Sequence, residues 1–293
     1  MKIISVLKFI TSHPLNCNHK IKAVSRFMKW QLNTMLNPYP IIYPFTKKSK
    51  LIIKRGMTGA TGNLYCGLHE YNEMLFLLHF LRKEDTFADI GANIGSYTIL
   101  AAGHVGAKTF SFEPIPSTFS NLLDNIAVNR LESNVMAFNI ALGSQRRTIN
   151  FTSSLDTMNH VASEDEGNII VVSMETFDDV LENHQVPALL KIDVEGFETE
   201  VLIGMNSVLK NKDLKAIIIE LNGSGKRYGY DEKKIHKMLS ELDFNPFMYT
   251  PTERLLTQVN ILGMQNTIYI RDVDYVRSRI ESADKIEIFD SKI

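Results

Sequence analysis

The sequence predicts an α/β fold with a mostly parallel sheet and helices on both faces, and three observations predict it. Apolar, strand-like runs alternate with helical periodicity from about residue 86 to residue 242. The run at 86–90 passes through a glycine turn straight into a helical pattern. The run after it stops at Glu113-Pro114, where an acid is followed by a residue that cannot continue a ladder.

The elements follow in order. Residues 1–12 carry Ile3, Val6, Leu7 and Ile10 on one helical face, a stretch too short to span a bilayer. No small-residue cleavage site follows, so it does not read as a signal peptide. Residues 20–36 repeat the pattern with Ile21, Val24, Met28, Leu32 and Met35, a stripe that suits core packing as well as an interfacial helix. Asn37-Pro-Tyr-Pro40 then reads as loop chemistry; it lacks the doubled proline of the Asn-Pro-Pro-Tyr loop of DNA amino-methyltransferases. One or two short strands are expected within 50–65, around Gly56, Gly59 and Gly62, and a helix over 70–81. Strand 86–90, helix 95–103, strand 108–113, helix 117–130 and strand 135–140 come next. A hairpin insertion at about 144–173 has strands 148–152 and 169–173, and its polar tip, 153–167, is a candidate lid. A short helix at 175–183 leads to strand 188–193, helix 198–210, strand 215–221, helix 231–242 and strands near 245–250 and 266–271.

Charge divides the chain unequally. Overall it is −1, with 44% apolar and 22% charged residues, ordinary for a globular protein. Residues 1–69 hold eleven Lys or Arg and no Asp or Glu, whereas the remainder holds 21 basic and 33 acidic residues. The basic stretch either lies on its own acidic body or meets an anionic membrane, a polyanionic substrate or nucleic acid. Cys17 and Cys66 make no disulfide framework, which points to a reducing compartment.

The stretch Phe87-Ala-Asp-Ile-Gly-Ala-Asn-Ile-Gly-Ser-Tyr97 is a strand, a tight loop and a helix N-terminus. Its Gly91-x-x-x-Gly95 spacing differs from the G-x-G-x-x-G that admits a pyrophosphate. Asp89 at the strand tip repels phosphate and suits ammonium, sulfonium and hydroxyl groups. S-adenosylmethionine carries all three. Gly91, Ala92, Asn93, Gly95, Ser96 and Tyr97 are therefore expected around its methionine part. An acid roughly 20 residues past a glycine turn holds a ribose diol, the role expected of Glu113 beside Pro114. Ala141 and Leu142 fall where an adenine edge would lie.

Leu189-Leu-Lys-Ile-Asp-Val-Glu-Gly-Phe-Glu198 is the second informative segment. Asp193 emerges at a strand end with Glu195 two residues on, and two adjacent like charges are poorly explained by stability. They suit a general base or the binding of a hydroxyl-rich group, whereas Glu198 reads as a favourable acid at a helix N-terminus. Alternation puts Glu220 and Asn222 on one strand face. With Asp193 they are weak candidates for a divalent metal site, the blander reading being a strand-end hydrogen-bond network; the residues leave the need for a metal open. His69 and His160 are further candidate bases.

Together these residues resemble the FkbM family of S-adenosylmethionine-dependent methyltransferases. The resemblance covers roughly 65–271 and rests on Gly67-Leu-His-Glu70, Asp89-Ile-Gly-Ala-Asn-Ile-Gly95-Ser-Tyr97 and Phe112-Glu113-Pro114. It continues in Asn139-Ile-Ala-Leu142, Phe177-Asp178, Lys191-Ile-Asp-Val-Glu-Gly196-Phe-Glu198 and Ile219-Glu220. It implies a Rossmann-like class I methyltransferase fold with a seven-stranded sheet, and methylation of a hydroxyl on a glycan or natural product. It adds Glu70 to the expected cofactor residues. The implied division is a basic helical arm, 1–50, and a methyltransferase domain, 51–293. Nucleic acid as partner is disfavoured by the acidic body. The remaining alternatives are a nucleic-acid methyltransferase and a non-catalytic cofactor-binding scaffold. The expected location is cytoplasmic, with peripheral contact at the inner membrane surface through residues 1–36 as its extension.

Overall fold

A computed structural model of the chain describes residues 3–152, 159–162, 167–260 and 266–293. Its centre is an eight-stranded sheet of β1 (Thr86–Ile90), β2 (Lys108–Phe112), β3 (Val135–Phe138), β4 (Leu189–Ile192), β5 (Ala216–Glu220), β6 (Asn245–Thr250), β7 (Leu255–Gln258) and β8 (Asn266–Ile270). The order across the sheet is β7-β6-β8-β5-β4-β1-β2-β3. Neighbours from β3 through β5 are parallel, and β8 enters antiparallel between β5 and β6.

The expected seven strands thus become eight. β7 pairs antiparallel with β6 after a tight turn in which Arg254 has φ +54°, a short edge hairpin with no apolar run to announce it. β1, β4 and most of β5 are buried because helices cover both faces, which is why they read as continuous apolar runs. Alternation divides their side chains between two core layers: Phe87, Leu189 and Ile218 face one, Ala88, Leu190 and Ile217 the other.

Three expected elements differ. Of the one or two strands expected within 50–65, Lys50–Ile53 is present, paired antiparallel with Ile41–Pro44, whereas around Gly59 and Gly62 the chain forms the helix Thr58–Cys66. A Cβ at Gly62 would lie 2.8 Å from the His69 ring, so this glycine serves packing rather than a turn. The expected helix at 198–210 divides into Glu198–Ile203 and Asn206–Lys210. Between them a Cβ on Gly204 would stand 1.9 Å from the Gly143 carbonyl oxygen, and Asp178 caps the second piece by accepting N–H bonds from Ser207 (2.8 Å) and Val208 (3.0 Å). The helix after the glycine turn begins at Ser96–Thr98 and widens into π-type turns at Ile99–Val105.

The hairpin insertion is present as Arg147–Thr152 against Ile169–Glu175, with Ala141–Leu142 paired parallel to its second strand. The 153–167 tip read as a lid lies outside the described residues except for 159–162 and Gly167. The first two helices, Ile3–Ser12 and Lys20–Leu36, pack on the sheet's first core layer through Ile10, Ala23, Phe27 and Trp30. In the loop that follows them, Asn37 makes an Asx turn, its Oδ1 accepting the Tyr39 N–H at 3.0 Å. Cys17 is exposed, Cys66 is buried, and both are free thiols. Among the described residues no helix is long and apolar enough to cross a membrane.

Candidate functional site

The carboxyl ends of β1, β2, β4 and β5 open into one cavity of ≈ 290 Å³, closed on its other sides by residues of the Thr58–Cys66 helix, the Glu70 region and the hairpin. Crevices of this kind at strand ends are where open α/β sheets bind ligands. Of the residues expected at the cofactor, all but Gly95 line it: Glu70, Asp89, Gly91, Ala92, Asn93, Ser96, Tyr97, Glu113, Pro114, Ala141 and Leu142. Asp193, Glu195, Glu220 and His69 line it as well.

The turn after β1 is fixed by backbone. Gly91 and Ala92 donate their N–H groups to the Phe112 carbonyl at 3.0 and 2.9 Å. Gly91 has φ +78°, and a Cβ there would sit 1.8 Å from the Asp193 carbonyl oxygen. Only glycine lets the β1 and β4 loops touch this closely. Asn93 is also left-handed, at φ +50°, and donates its N–H to Glu113 Oε2 at 3.0 Å. Glu113 Oε1 accepts the Ile115 N–H at 3.0 Å. Burial raises the Glu113 carboxyl to about 7, against the pull of those two N–H groups and with the Asp89 and Asp193 charges adding to the rise. Gly95 sits beneath the turn, where a Cβ would meet Leu122 Cδ1 at 2.4 Å; it shapes the helix entry and does not line the cavity.

Asp89 is 2% exposed. Its Oδ2 accepts both the N–H (2.9 Å) and the hydroxyl (2.6 Å) of Thr98, so this carboxylate pins the helix N-terminus to β1. Burial raises it to about 6, opposed by Thr98 and Lys191. Tyr97 is 6% exposed, and its hydroxyl makes no ordinary hydrogen bond among the described residues. Burial, then Glu70 and Glu73, push that hydroxyl well above its usual pKa. An acid-lined cavity, with Glu70 beside the buried Tyr97 hydroxyl, fits a polar cation-bearing ligand such as S-adenosylmethionine.

The other half is organised by Lys191, which sequence reasoning passed over as a site residue. It is 2% exposed and paired across the sheet with Asp89 on one side and Ile218 on the other. Its Nζ donates to Asp193 Oδ2 (3.1 Å) and to Asn266 Oδ1 (2.8 Å), and Asn266 Nδ2 donates to Glu70 Oε1. Burial disfavours the ammonium, but the Asp193, Glu70 and Glu220 carboxylates outweigh it and raise its pKa. A charged residue inside an aliphatic strand was the available signal, because such a group stays buried only when paired.

Asp193, Glu195 and Glu220 bring carboxylate oxygens within 4.8 Å of one another. Glu195 sits in the left-handed region at φ +52°, and burial followed by the Asp193 charge raises its carboxyl to about 7. Burial and Asp193 raise Glu220 too. Glu198 is turned inward, accepting the Gly196 N–H at 3.1 Å and the Val194 N–H at 3.3 Å, which shapes the loop carrying Glu195. Asn222 lies off the cavity: its Nδ2 donates to Glu220 and its Oδ1 accepts the Ser224 N–H. His160 is buried next to Thr152, whose hydroxyl accepts the His160 N–H, and does not line the cavity. His69 does line it, with its pKa lowered by burial and its ring edge-on to Phe9. Asn63, Phe151 and Asn159 also line the wall and were not anticipated.

Residues 89–246 match the methyltransferase FkbM domain. The chain belongs to the FkbM methyltransferase family. It is accordingly an enzyme of the S-adenosylmethionine-dependent methyltransferase class. It is 30% identical over 174 residues to the hexuronic acid methyltransferase AglP of Haloferax volcanii, covering 59% of this chain and 68% of that one. It is also 30% identical over 149 residues to Methyltransferase 1 of Beauveria bassiana, spanning 42% of this chain and 59% of the relative. A methyltransferase FkbM from Methylobacillus flagellatus KT, solved by crystallography, superposes with a TM-score of 0.44 at 15% identity, covering 73% of this chain and 55% of that one.

Proposed function

We propose that this methyltransferase methylates a hydroxyl oxygen of a glycan or small natural product. The observation that carries the reading is that Asp193 and Glu195 share one cavity with the 91–97 turn and Glu113. When bound, S-adenosylmethionine supplies a methyl group on a sulfonium sulfur. In this reading the turn at Gly91, Ala92 and Asn93 cradles the methionine part, with Ser96, Tyr97 and Glu70 meeting its polar groups. Glu113 and Pro114 border the ribose, and Ala141 and Leu142 the adenine.

Glu195 would then take the acceptor hydroxyl's proton as that oxygen receives the methyl group. A base with a pKa of about 7 is half ionised at neutral pH, and the proton has somewhere to go. Asp193, held by Lys191, orients the hydroxyl. AglP is named for a hexuronic acid, so a sugar acid is the first acceptor class to try. Arg227, whose Nη1 donates to the Glu195 carbonyl at 3.4 Å, is the nearby cation that suits an acceptor carboxylate.

The reading uses no divalent metal: Glu195 takes the proton, and the Lys191 ammonium offsets one of the three carboxyl groups that would ligate an ion. We also propose a basic arm, 1–50, beside a catalytic domain, 51–293, with residues 1–36 touching an inner membrane surface peripherally. The acid-free basic stretch supports this. The deciding experiment is radiolabelled methyl transfer across uronic acids, neutral glycans, small alcohols and RNA. Label in a hydroxyl-bearing sugar upholds the proposal, and label only in RNA overturns it. Turnover within twofold after chelation by EDTA is expected; loss restored by a divalent cation would transfer Asp193, Glu195 and Glu220 to metal ligation.

A further inference from the structure

The Lys20–Leu36 helix has two apolar faces, and the protein buries only one. Ala23, Phe27 and Trp30 enter the core. On the other side Ile21, Met28, Leu32 and Met35 stand 88%, 51%, 54% and 81% exposed. At about 100° per residue, these four fall within an arc of roughly 60°, opposite the buried trio. Lys20 and Lys29, both exposed, border the arc on its two edges. The nearest acid in sequence is Glu70, so nothing on the helix itself offsets their charge.

We propose that this stripe is a membrane-docking face that lies flat on an anionic bilayer. The four aliphatic side chains enter the boundary between headgroups and acyl chains, and Lys20 and Lys29 meet headgroup phosphates. An apolar stripe rimmed by cations is the pattern of an in-plane helix. Anionic lipid is favoured over a second copy on this face because a two-fold contact would set the same lysines against each other. The inference rests on the membrane contact proposed above and is independent of which acceptor the enzyme methylates.

The test is sedimentation of the full chain with phosphatidylglycerol/phosphatidylcholine vesicles and with phosphatidylcholine alone. The chain is expected to bind the anionic vesicles. Combined Ile21→Ser, Met28→Ser, Leu32→Ser and Met35→Ser should weaken that binding more than tenfold while S-adenosylmethionine affinity in solution stays unchanged. Val171→Ser with Met248→Ser, two exposed apolar positions elsewhere, should leave it alone. If the fourfold variant misfolds, Lys20→Gln with Lys29→Gln decides, by removing the preference for anionic lipid. A wild-type chain that ignores anionic vesicles overturns the membrane contact itself. A wild-type chain that binds, with variants that bind equally, overturns this face alone. A dimer that becomes monomeric on the fourfold substitution makes the stripe a subunit interface and overturns the proposal.

Discussion

The two halves of the cavity treat their carboxylates differently. In the half after β1 and β2, Asp89 accepts the Thr98 N–H and hydroxyl, and Glu113 accepts the Asn93 and Ile115 N–H groups. In the half after β4 and β5, Asp193, Glu195 and Glu220 face one another and a single buried ammonium. Acids held by backbone are parts of the fold and fix a shape. Acids held by other titratable groups can change their proton without moving the chain, which is what an acceptor site requires.

The most severe way to break this division is at its seam. Gly91→Ala puts a Cβ into the Asp193 carbonyl at a left-handed φ, and should cost more than about 3 kcal/mol of stability and abolish cofactor binding. Denaturant unfolding and calorimetry check both, and a stable variant that binds normally would remove the seam. Next is Glu195→Gln, expected to lower kcat about 10²–10⁴-fold with cofactor affinity kept. In the wild type, Glu195 is protonated below about 7, so turnover should fall as pH drops through that value. The variant should lose that limb, and if it keeps it the base is another group. Smaller is Glu113→Gln, which keeps the side chain's size but loses its charge and one of the two accepted N–H bonds; its cofactor dissociation constant should rise about tenfold, with kcat at saturation little changed. An unchanged dissociation constant would leave Glu113 a purely architectural acid.

The parallel core was legible because β1, β2, β4 and β5 are apolar runs ending in an acid or a glycine turn, and local sequence decides that. Lys191 shows where legibility stopped. Its meaning depends on Asn266 and Glu70, one on the antiparallel strand β8 and the other just before the helix Tyr71–Phe80, and no local pattern links them. The Lys20–Leu36 helix shows the converse. Its stripe of Ile21, Met28, Leu32 and Met35 was visible, but Trp30 and Phe27 bury more area and took the inward side. Helix Thr58–Cys66 was read as strand because glycine signals turns, whereas Gly62 is there to admit an imidazole.

The contact of Gly91 with the Asp193 carbonyl also limits how this enzyme can diversify. Insertions or deletions in either loop would separate two backbone segments that must stay in register, so neither loop is free to lengthen. The 147–175 hairpin lies outside that seam yet supplies Phe151 and Asn159 to the cavity wall. Acceptor preference can therefore vary at the hairpin's Arg147–Thr152 strand, while its Ile169–Glu175 strand has to keep its pairing with Ala141–Leu142.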